Sequence, residues 1–308
     1  MVFCAPASKG LYPLTAAIIP TTDWQGSLHL AYARRDEQTY LQHQRSQAPL
    51  KIHRAFYPEG PEVCHSTILH TAGGMVGGDG LDIDIQLAPQ SRVLLTTTAA
   101  AKIYGSRGRS LVHPEGRPAT QTVRIAIAPG ACLEWLPQET IAFNGCLYDQ
   151  ALRVDLAETA IWCGWEILRL GRSARGEKFL TGRARSRTEV WQQGKPLWID
   201  AQQLSGDSTS LSSYHDLNHC PVLGTFSWIG CPVSGEIVEQ VRACWSQESY
   251  QGEAGTTQLI SGLLCRYRGN STAEVRHWFT AVWQILRQTY ADRPICLPRI
   301  WQRDSFRH

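Results

Sequence analysis

The chain has 308 residues, of which 43% are hydrophobic and 19% charged, so its composition suits a sizeable core and not a disordered protein. Its 30 Lys and Arg nearly balance its 27 Asp and Glu, which argues against a nucleic-acid-binding protein with a clustered basic face. The first ten residues lack the pattern of a signal peptide, and no apolar run approaches the ~20 residues that span a bilayer. We therefore expect a cytoplasmic protein whose ten scattered cysteines are reduced, buried thiols.

Most of the sequence alternates between apolar and polar residues with a period of two, which predicts half-buried β-strands. The clearest example is residues 81–87, which are apolar at every odd position, and residues 28–32 repeat the pattern upstream. Residues 189–199 read as a hairpin, because two strand-like runs flank the turn residues Gly194 and Pro196.

A looser repeat of strand, short turn and strand runs through the middle of the chain. Its three units occupy residues 81–97, 123–135 and 152–163. The second strand of each unit is more continuously apolar than the first, as expected if both of its faces are covered. Stacking such units buries faces that one unit alone leaves open, so the repeat favours a helical, solenoid-like stack of β-strands. Its irregular spacing leaves a β-sandwich as the alternative.

Helical patterning is confined to the C-terminal part of the chain. Residues 271–274 have the form of a capping box, and apolar residues then recur at helical spacing from Val275 to Leu286. A second, weaker helix is predicted to start near Ser234, and residues 263–267 read as another strand. The sequence thus predicts a mainly β protein with two α-helices near the C-terminus.

The most unusual segment is residues 71–80, in which five glycines fall within eight residues. A phosphate-binding loop would need a lysine and a hydroxyl residue after its last glycine, with a helix behind them. Here Asp79 and a predicted strand stand in their place, and the spacing does not match the dinucleotide fingerprint either. We interpret the segment as a tight bend between two strands.

Carboxylates stand among apolar residues in the segment 133–139. Glu134 lies between Leu133 and Trp135 and is expected to face the opposite side of the strand. Together with Glu139 it could serve general acid and base hydrolysis, or line an aqueous passage for a cation. A salt-bridged structural network is the third interpretation, and all three stay open on the residues alone.

Two groups of residues are weak candidates for metal ligands. Imidazole and thiolate suit a cation such as nickel, which draws attention to Cys64, His65 and His70. Because residues 65 and 70 differ by an odd number, they face opposite sides of a strand, and a compact site is not expected from them. The segment 215–220, with two histidines, Asp216 and Cys220, is denser but lies in a polar stretch.

The glycine-rich segment and several other strings resemble one known family. The core Gly-Gly-x-Val-Gly-Gly-Asp at 73–79 is similar to the hallmark of the urease accessory protein UreD, called UreH in some organisms. Similar strings stand before it at 49–51, 56–60 and 64–65 and after it at 133–139, 164–166, 170–172, 176–177, 266–269 and 298–301, in the family's order, so that the resemblance covers about residues 24–301. The motif residues of the glycine loop and the stretch behind it are Gly73, Gly74, Gly77, Gly78, Asp79, Lys102 and Tyr104.

The sequence departs from the family pattern at five positions. Thr71 and Ala72 stand where two prolines are usual, and Ala99 and Ala100 replace a Pro-Gly-like pair. Gly105 stands where an arginine often follows the tyrosine. These differences concern the conformation of the loop and one positive charge, and they leave the resemblance intact.

The resemblance implies a single domain over residues 1–308, with flexible ends at 1–23 and 302–308, built as a helical stack of strands with two C-terminal helices. It implies a non-catalytic scaffold that works with UreF and the GTPase UreG to insert nickel into apo-urease. GTP hydrolysis then belongs to UreG, no cofactor is tightly bound, and nickel passes transiently. The expected setting is a cytoplasmic hetero-oligomeric complex without nucleic acid or membrane.

An internal passage for the metal is a further implication of the resemblance. The carboxylates with apolar flanks become candidates for its lining, and they are Glu134, Glu139, Glu166 and Glu177. The competing interpretation is a secreted-type β-solenoid polysaccharide hydrolase that uses Glu134 and Glu139 as acid and base. A binding module without metal traffic is the third.

Overall fold

The computed structural model describes residues 23–108, 111–172, 175–206, 209–215 and 217–301. The predicted flexible ends lie outside these ranges, apart from Asp23. The strands and helices are β1 Gln25–Arg35, β2 Gln38–Gln47, β3 Leu50–Ile52, β4 Val63–His70, β5 Gly80–Leu87, β6 Arg92–Thr97, β7 Ala101–Ile103, β8 Ala119–Ile127, β9 Cys132–Trp135, β10 Thr140–Ala142, β11 Leu147–Leu156, β12 Ile161–Leu170, β13 Arg183–Gln192, β14 Lys195–Ser205, β15 Val222–Ile229, α1 Gly235–Ser246, β16 Glu253–Leu259, β17 Gly262–Gly269 and α2 Thr272–Ala291. The predicted mainly β composition and the two late helices are confirmed.

The strands form two sheets. Sheet I has seven strands in the order β14–β13–β11–β8–β5–β1–β2. Sheet II has ten, with β16–β17–β15–β12–β9–β6–β4–β3 as its main path, while the short strand β10 pairs with β12 and the short strand β7 pairs with β10. Both sheets are open and mixed, with parallel strands in the middle and antiparallel pairs at the edges. The solenoid-like stack is therefore not confirmed.

Each predicted repeat unit contributes one strand to each sheet. The first strands of the units, β5, β8 and β11, pair in parallel in sheet I, and the second strands, β6, β9 and β12, pair in parallel in sheet II. The register in sheet I places Ile83 opposite Val123, and Val123 opposite Leu152. Because side chains alternate along a strand, this register turns one apolar row inward across the whole sheet.

The apolar side chains form two buried clusters. One cluster lies between the sheets and includes Ile83, Val123 and Leu133. The other lies on the outer face of sheet II, where Phe226 and Trp228 of β15 meet the helices. Sheet II is thus covered on both faces, which explains why the second strand of each repeat unit is the more continuously apolar one.

The two helices begin where the sequence predicts. Ser271 caps α2, and its hydroxyl accepts a hydrogen bond from the backbone N–H of Glu274 at 3.2 Å. Ser234 caps α1 in the same way through the N–H of Ile237. The apolar positions predicted from Val275 to Leu286 form the buried face of α2. No helix among the described residues is long and apolar enough to cross a membrane.

A buried arginine joins α2 to the rest of the fold. Arg287 is only 2% exposed, and its guanidinium contacts Glu59 (Nη2 to Oε2, 2.6 Å) and Glu134 (Nε to Oε1, 3.1 Å). Its Nη1 donates to the carbonyl of Pro294 at 2.8 Å. His65 Nε2 donates to the other carboxylate oxygen of Glu59 at 2.5 Å. A single guanidinium therefore links the segment before β4, the strand β9, α2 and the segment behind α2.

The two carboxylates of this network respond differently to their surroundings. Burial alone would raise the pKa of Glu59, but the hydrogen bonds from His65 and Arg287 outweigh it and hold the pKa below its usual range. Burial raises the pKa of Glu134, and Arg287 offsets this only in part because it serves Glu59 as well. Removal of the guanidinium would leave Glu134 buried without a cation, and Glu59 with His65 as its remaining partner.

Replacement of Arg287 by methionine is expected to lower the free energy of unfolding by about 3–5 kcal/mol, because it leaves the buried Glu134 without its cation. The matched control is Arg124→Met, which breaks a half-exposed ion pair with Asp82 and should cost at most about 1 kcal/mol. Urea unfolding of both variants measures the difference. Equal stability of the two variants would show that the network does not hold α2.

Candidate functional site

A cavity of about 210 Å³ lies between the two sheets. It extends from the glycine loop, the segment 71–79 between β4 and β5, to the strands β14 and β15. Its wall is apolar around Trp135 and Trp162, yet both sheets also turn polar side chains into it. Six of these are Gln121, Gln150, Glu166, Thr188, Asp200 and Thr225. A polar strip therefore crosses an otherwise apolar interface between the sheets.

The glycine loop forms the end wall of the cavity, and the predicted bend between two strands is present. Gly73 and Gly74 line the cavity together with Lys102. Gly74 has φ +148°, and a Cβ built on it would lie 2.5 Å from the carbonyl oxygen of Lys102, so no larger residue fits there. The Tyr104 hydroxyl donates to the carbonyl of Gly73 at 3.0 Å. Lys102 and Tyr104 thus fix the loop through these contacts.

Asp79 holds the end of the loop. Its carboxylate accepts hydrogen bonds from the backbone N–H groups of Val76 (2.8 Å) and Trp24 (3.2 Å). The neighbouring Gly77 and Gly78 precede β5 and do not line the cavity. Asp79 therefore anchors the bend to the start of β1, which is a structural role and not a phosphate site.

Glu166 is the predicted passage residue that lines the cavity. It projects from β12 toward sheet I, where the hydroxyl of Ser186 donates to its two carboxylate oxygens at 3.0 and 2.9 Å. Burial raises the pKa of Glu166 to about 7, the Ser186 hydrogen bond works against this, and nearby Asp200 adds to it. The carboxyl group can therefore gain or lose a proton near neutral pH.

The other three predicted passage carboxylates stand outside the lining of this cavity. Glu134 faces α2, opposite to Leu133 and Trp135 as predicted, and also accepts a hydrogen bond from Trp283 Nε1 at 2.6 Å. Glu139 pairs with Arg276 of α2. Glu177 accepts from Arg172 Nε at 2.8 Å and from the backbone N–H of Asn144 at 3.0 Å. The structure does not bring the four together, and a role for these three in a passage stays a prediction.

The predicted metal ligands Cys64 and His65 also stand apart. Cys64 is in the core beside Ser66, and burial raises the pKa of its thiol, whereas His65 faces Glu59. His70 lies at the cavity, where its Nδ1 donates to the carbonyl of Ala72 at 3.0 Å and leaves Nε2 with a lone pair in the neutral ring. Within the described part of the chain, no three His, Cys, Asp or Glu side chains are grouped to hold a metal ion.

The dense segment 215–220 is described only in part, because Asp216 lies outside the described residues. His215 packs its ring against Tyr214, and the thiol of Cys220 donates to the carbonyl of Asn218. None of its described residues, 215 and 217–220, lines the cavity.

Comparison with known proteins agrees with this motif pattern. The sequence model of the family described as UreD urease accessory protein matches residues 25–302. A protein named urease accessory protein UreD from Nostoc punctiforme is 55% identical over 279 residues, which cover 91% of this chain and 96% of that protein. Proteins of the same name from Acaryochloris marina and Methylobacillus flagellatus are 49% and 39% identical, each over 90% of this chain and at least 94% of its own length.

The chain belongs to the UreD family. The departures from the usual UreD pattern then have a place in the structure. Ala72, Ala99 and Ala100 all line the cavity. A Cβ on Gly105 would lie 2.5 Å from the carbonyl oxygen of Asn144, so the backbone of this UreD member passes too closely for a side chain.

Asp200 is one of several polar cavity residues that sequence reasoning missed, and it is the charged one that pairs with Arg266. It sits on β14, directly opposite Thr188 of β13, and lies 15% exposed at the far end of the cavity from the glycine loop. Its only signal in the sequence is the alternation of the hairpin, in which an aspartate follows Ile199. Alternation shows which residues share a face, but the partner across the sheets is decided by the fold.

The pKa of Glu166 predicts a pH-dependent stability. The folded chain keeps the proton up to about pH 7, while the unfolded chain releases it near pH 4.5, so ionisation destabilises the fold increasingly between these values. Glu166→Gln cannot ionise, and its free energy of unfolding relative to the natural chain should rise by about 1–3 kcal/mol from pH 5 to pH 8.

Urea unfolding at a series of pH values measures this difference. Ser186→Ala provides the internal check, because loss of the donated hydrogen bond should move the transition to higher pH. If the difference in free energy of unfolding between Glu166→Gln and the natural chain stays constant across the pH series, the raised pKa of Glu166 is wrong.

Proposed function

We propose that this protein is a non-catalytic urease accessory protein that, together with UreF and the GTPase UreG, helps to insert nickel into apo-urease. Family membership supports the accessory role, since relatives over nearly the whole chain carry that name. The nickel ion is cargo in this proposal and no cofactor is tightly bound. The setting is a single-domain protein in a cytoplasmic complex with UreF, UreG and the urease subunits.

The observation that carries the metal part of the proposal is the polar strip between the sheets. Carboxylate oxygens of Glu166 and Asp200 and the amide oxygen of Gln150 face one cavity, with His70 at its glycine-loop end. Such groups attract a divalent cation, and imidazole suits nickel in particular. Because the ligands are spread along the cavity, each contact is weak enough for the ion to move on.

The same structure disfavours the hydrolase alternative. The proposed acid and base, Glu134 and Glu139, each pair with a different arginine of α2, and Glu134 lies buried behind sheet II. A glycosidase needs two carboxyl groups that face one cleft across the scissile bond. GTP hydrolysis is likewise assigned to UreG, because the glycine loop leads into the strand β5 and not into a helix.

Co-expression with the urease subunits, UreF and UreG tests the proposal. Omission of this chain should leave urease assembled but poor in nickel and inactive. Glu166→Gln should lower the nickel content of purified urease by about tenfold, since loss of one metal-facing group typically costs 10–100-fold in metal handling. Nickel is measured per urease active site by elemental analysis.

A matched control separates passage from assembly. Glu158→Gln changes a carboxylate on an exposed turn and should leave the nickel content unchanged. Copurification of both variants with UreF and urease shows that the complex forms. Normal nickel content with Glu166→Gln in an intact complex would contradict the passage, and full urease activation without this chain would contradict the accessory role.

A further inference from the structure

The far end of the cavity borders an open groove on the surface. The groove has a volume of about 460 Å³ and lies between the edge of sheet I at β14 and the strands β15, β16 and β17. Thr225 lines both the cavity and the groove. Asp200 lines the cavity alone, and Arg266 lines the groove alone. Side chains at Thr225 thus stand between the cavity and the groove.

The guanidinium of Arg266 sits on that boundary. Its Nη2 donates to Asp200 Oδ1 at 2.8 Å, and its Nη1 donates to the hydroxyl of Thr225 at 3.3 Å. Both partners line the cavity, while the arginine reaches them from the groove side. The pair also joins β14 of sheet I to β17 of sheet II, so it closes the gap between the sheets at this edge.

Exposure distinguishes this arginine from the one behind sheet II. The side chain of Arg266 is 42% exposed, whereas that of Arg287 is 2% exposed. An ion pair that is half in water contributes little to stability, and its cation exchanges readily with the solvent. Arg266 can therefore swing into the groove and release Asp200, a motion that burial denies to Arg287.

We propose that Arg266 is the gate at this end of the cavity and that a divalent cation opens it by competing for Asp200. This inference rests on the metal passage proposed above. With Arg266 in place, the opening is filled and its positive charge repels cations. When the guanidinium leaves, the Asp200 carboxylate faces the opening with Glu166 close behind it. A divalent cation compensates the two acidic groups better than the single charge of the guanidinium does.

The gate is tested by the accessibility of a cysteine placed behind it. Thr188 lines the cavity directly opposite Asp200, so Thr188→Cys puts a thiol just inside the opening. A cationic methanethiosulfonate reagent is applied to the full chain in complex with UreF, with the native cysteines alone as background. Adding Arg266→Ala should raise the rate of modification by about tenfold, because the steric plug and the repelling charge both disappear.

Three comparisons make the result specific. Arg268→Ala, two residues along the same strand, removes a second groove arginine, which pairs with Glu253 and not with a cavity residue, and it should raise the rate much less than Arg266→Ala does. Asp200→Asn keeps the arginine but loses the ion pair, and should also raise the rate. An anionic methanethiosulfonate should gain less from Arg266→Ala than the cationic reagent does, since it loses an attractive charge at the opening.

Equal rates with Arg266→Ala and Arg268→Ala would overturn the gate. The nickel content of urease distinguishes this failure from that of the passage. If modification rises with Arg266→Ala while neither this variant nor Glu166→Gln alters nickel loading, the gate is present and the metal passage is wrong. If modification rises and nickel loading changes with both variants, gate and passage both stand.

Discussion

The repeated crossing of the chain between two sheets is the constraint from which the rest of the molecule follows. Each repeat unit gives one strand to sheet I and the next to sheet II, and neighbouring units pair in parallel in both. The sheets therefore cannot be built separately, and their spacing is fixed by the short turns that join them. A residue on an inner face is held opposite a residue on the other sheet, as Ser186 is opposite Glu166. Because each inner side chain has a fixed neighbour on the other sheet, polar groups can be hydrogen-bonded and retained in an otherwise apolar interface.

Polar residues buried between the sheets lower the free energy of unfolding, and the apolar core on either side must offset this loss. Burial raises the pKa of Glu166 toward neutrality, and Asp200 forms an ion pair with the half-exposed Arg266. A core without function would fill this space with aliphatic side chains. The carboxylates retained there are consistent with the passage of a cation. The glycine loop and Arg266 stand at opposite ends of the cavity.

The two arginines next to sheet II differ in burial, and burial decides which of their ion pairs is fixed and which can open. Arg287 is enclosed by α2, Glu59 and Glu134, so it fastens the helix. Arg266 makes a similar ion pair with Asp200 but faces water, so the pair can open. The helix α2 covers the outer face of sheet II and does not reach the space between the sheets. The outer face of sheet II therefore holds α2 in place, and its inner face lines the proposed metal passage.

The sequence by itself determined the local structure and the family. Period-two alternation located the strands and the 189–199 hairpin, and a capping box located the start of α2. The glycine motif identified both the bend after β4 and the family to which the chain belongs. All of these depend on neighbours in the chain, which a single sequence displays. The tertiary structure alone decided that Glu166 lines the cavity while Glu134 packs behind sheet II, and that Asp200 meets Arg266 across 66 residues. Those partners are set by which strands cross to which sheet, and no local spacing in the sequence encodes that choice.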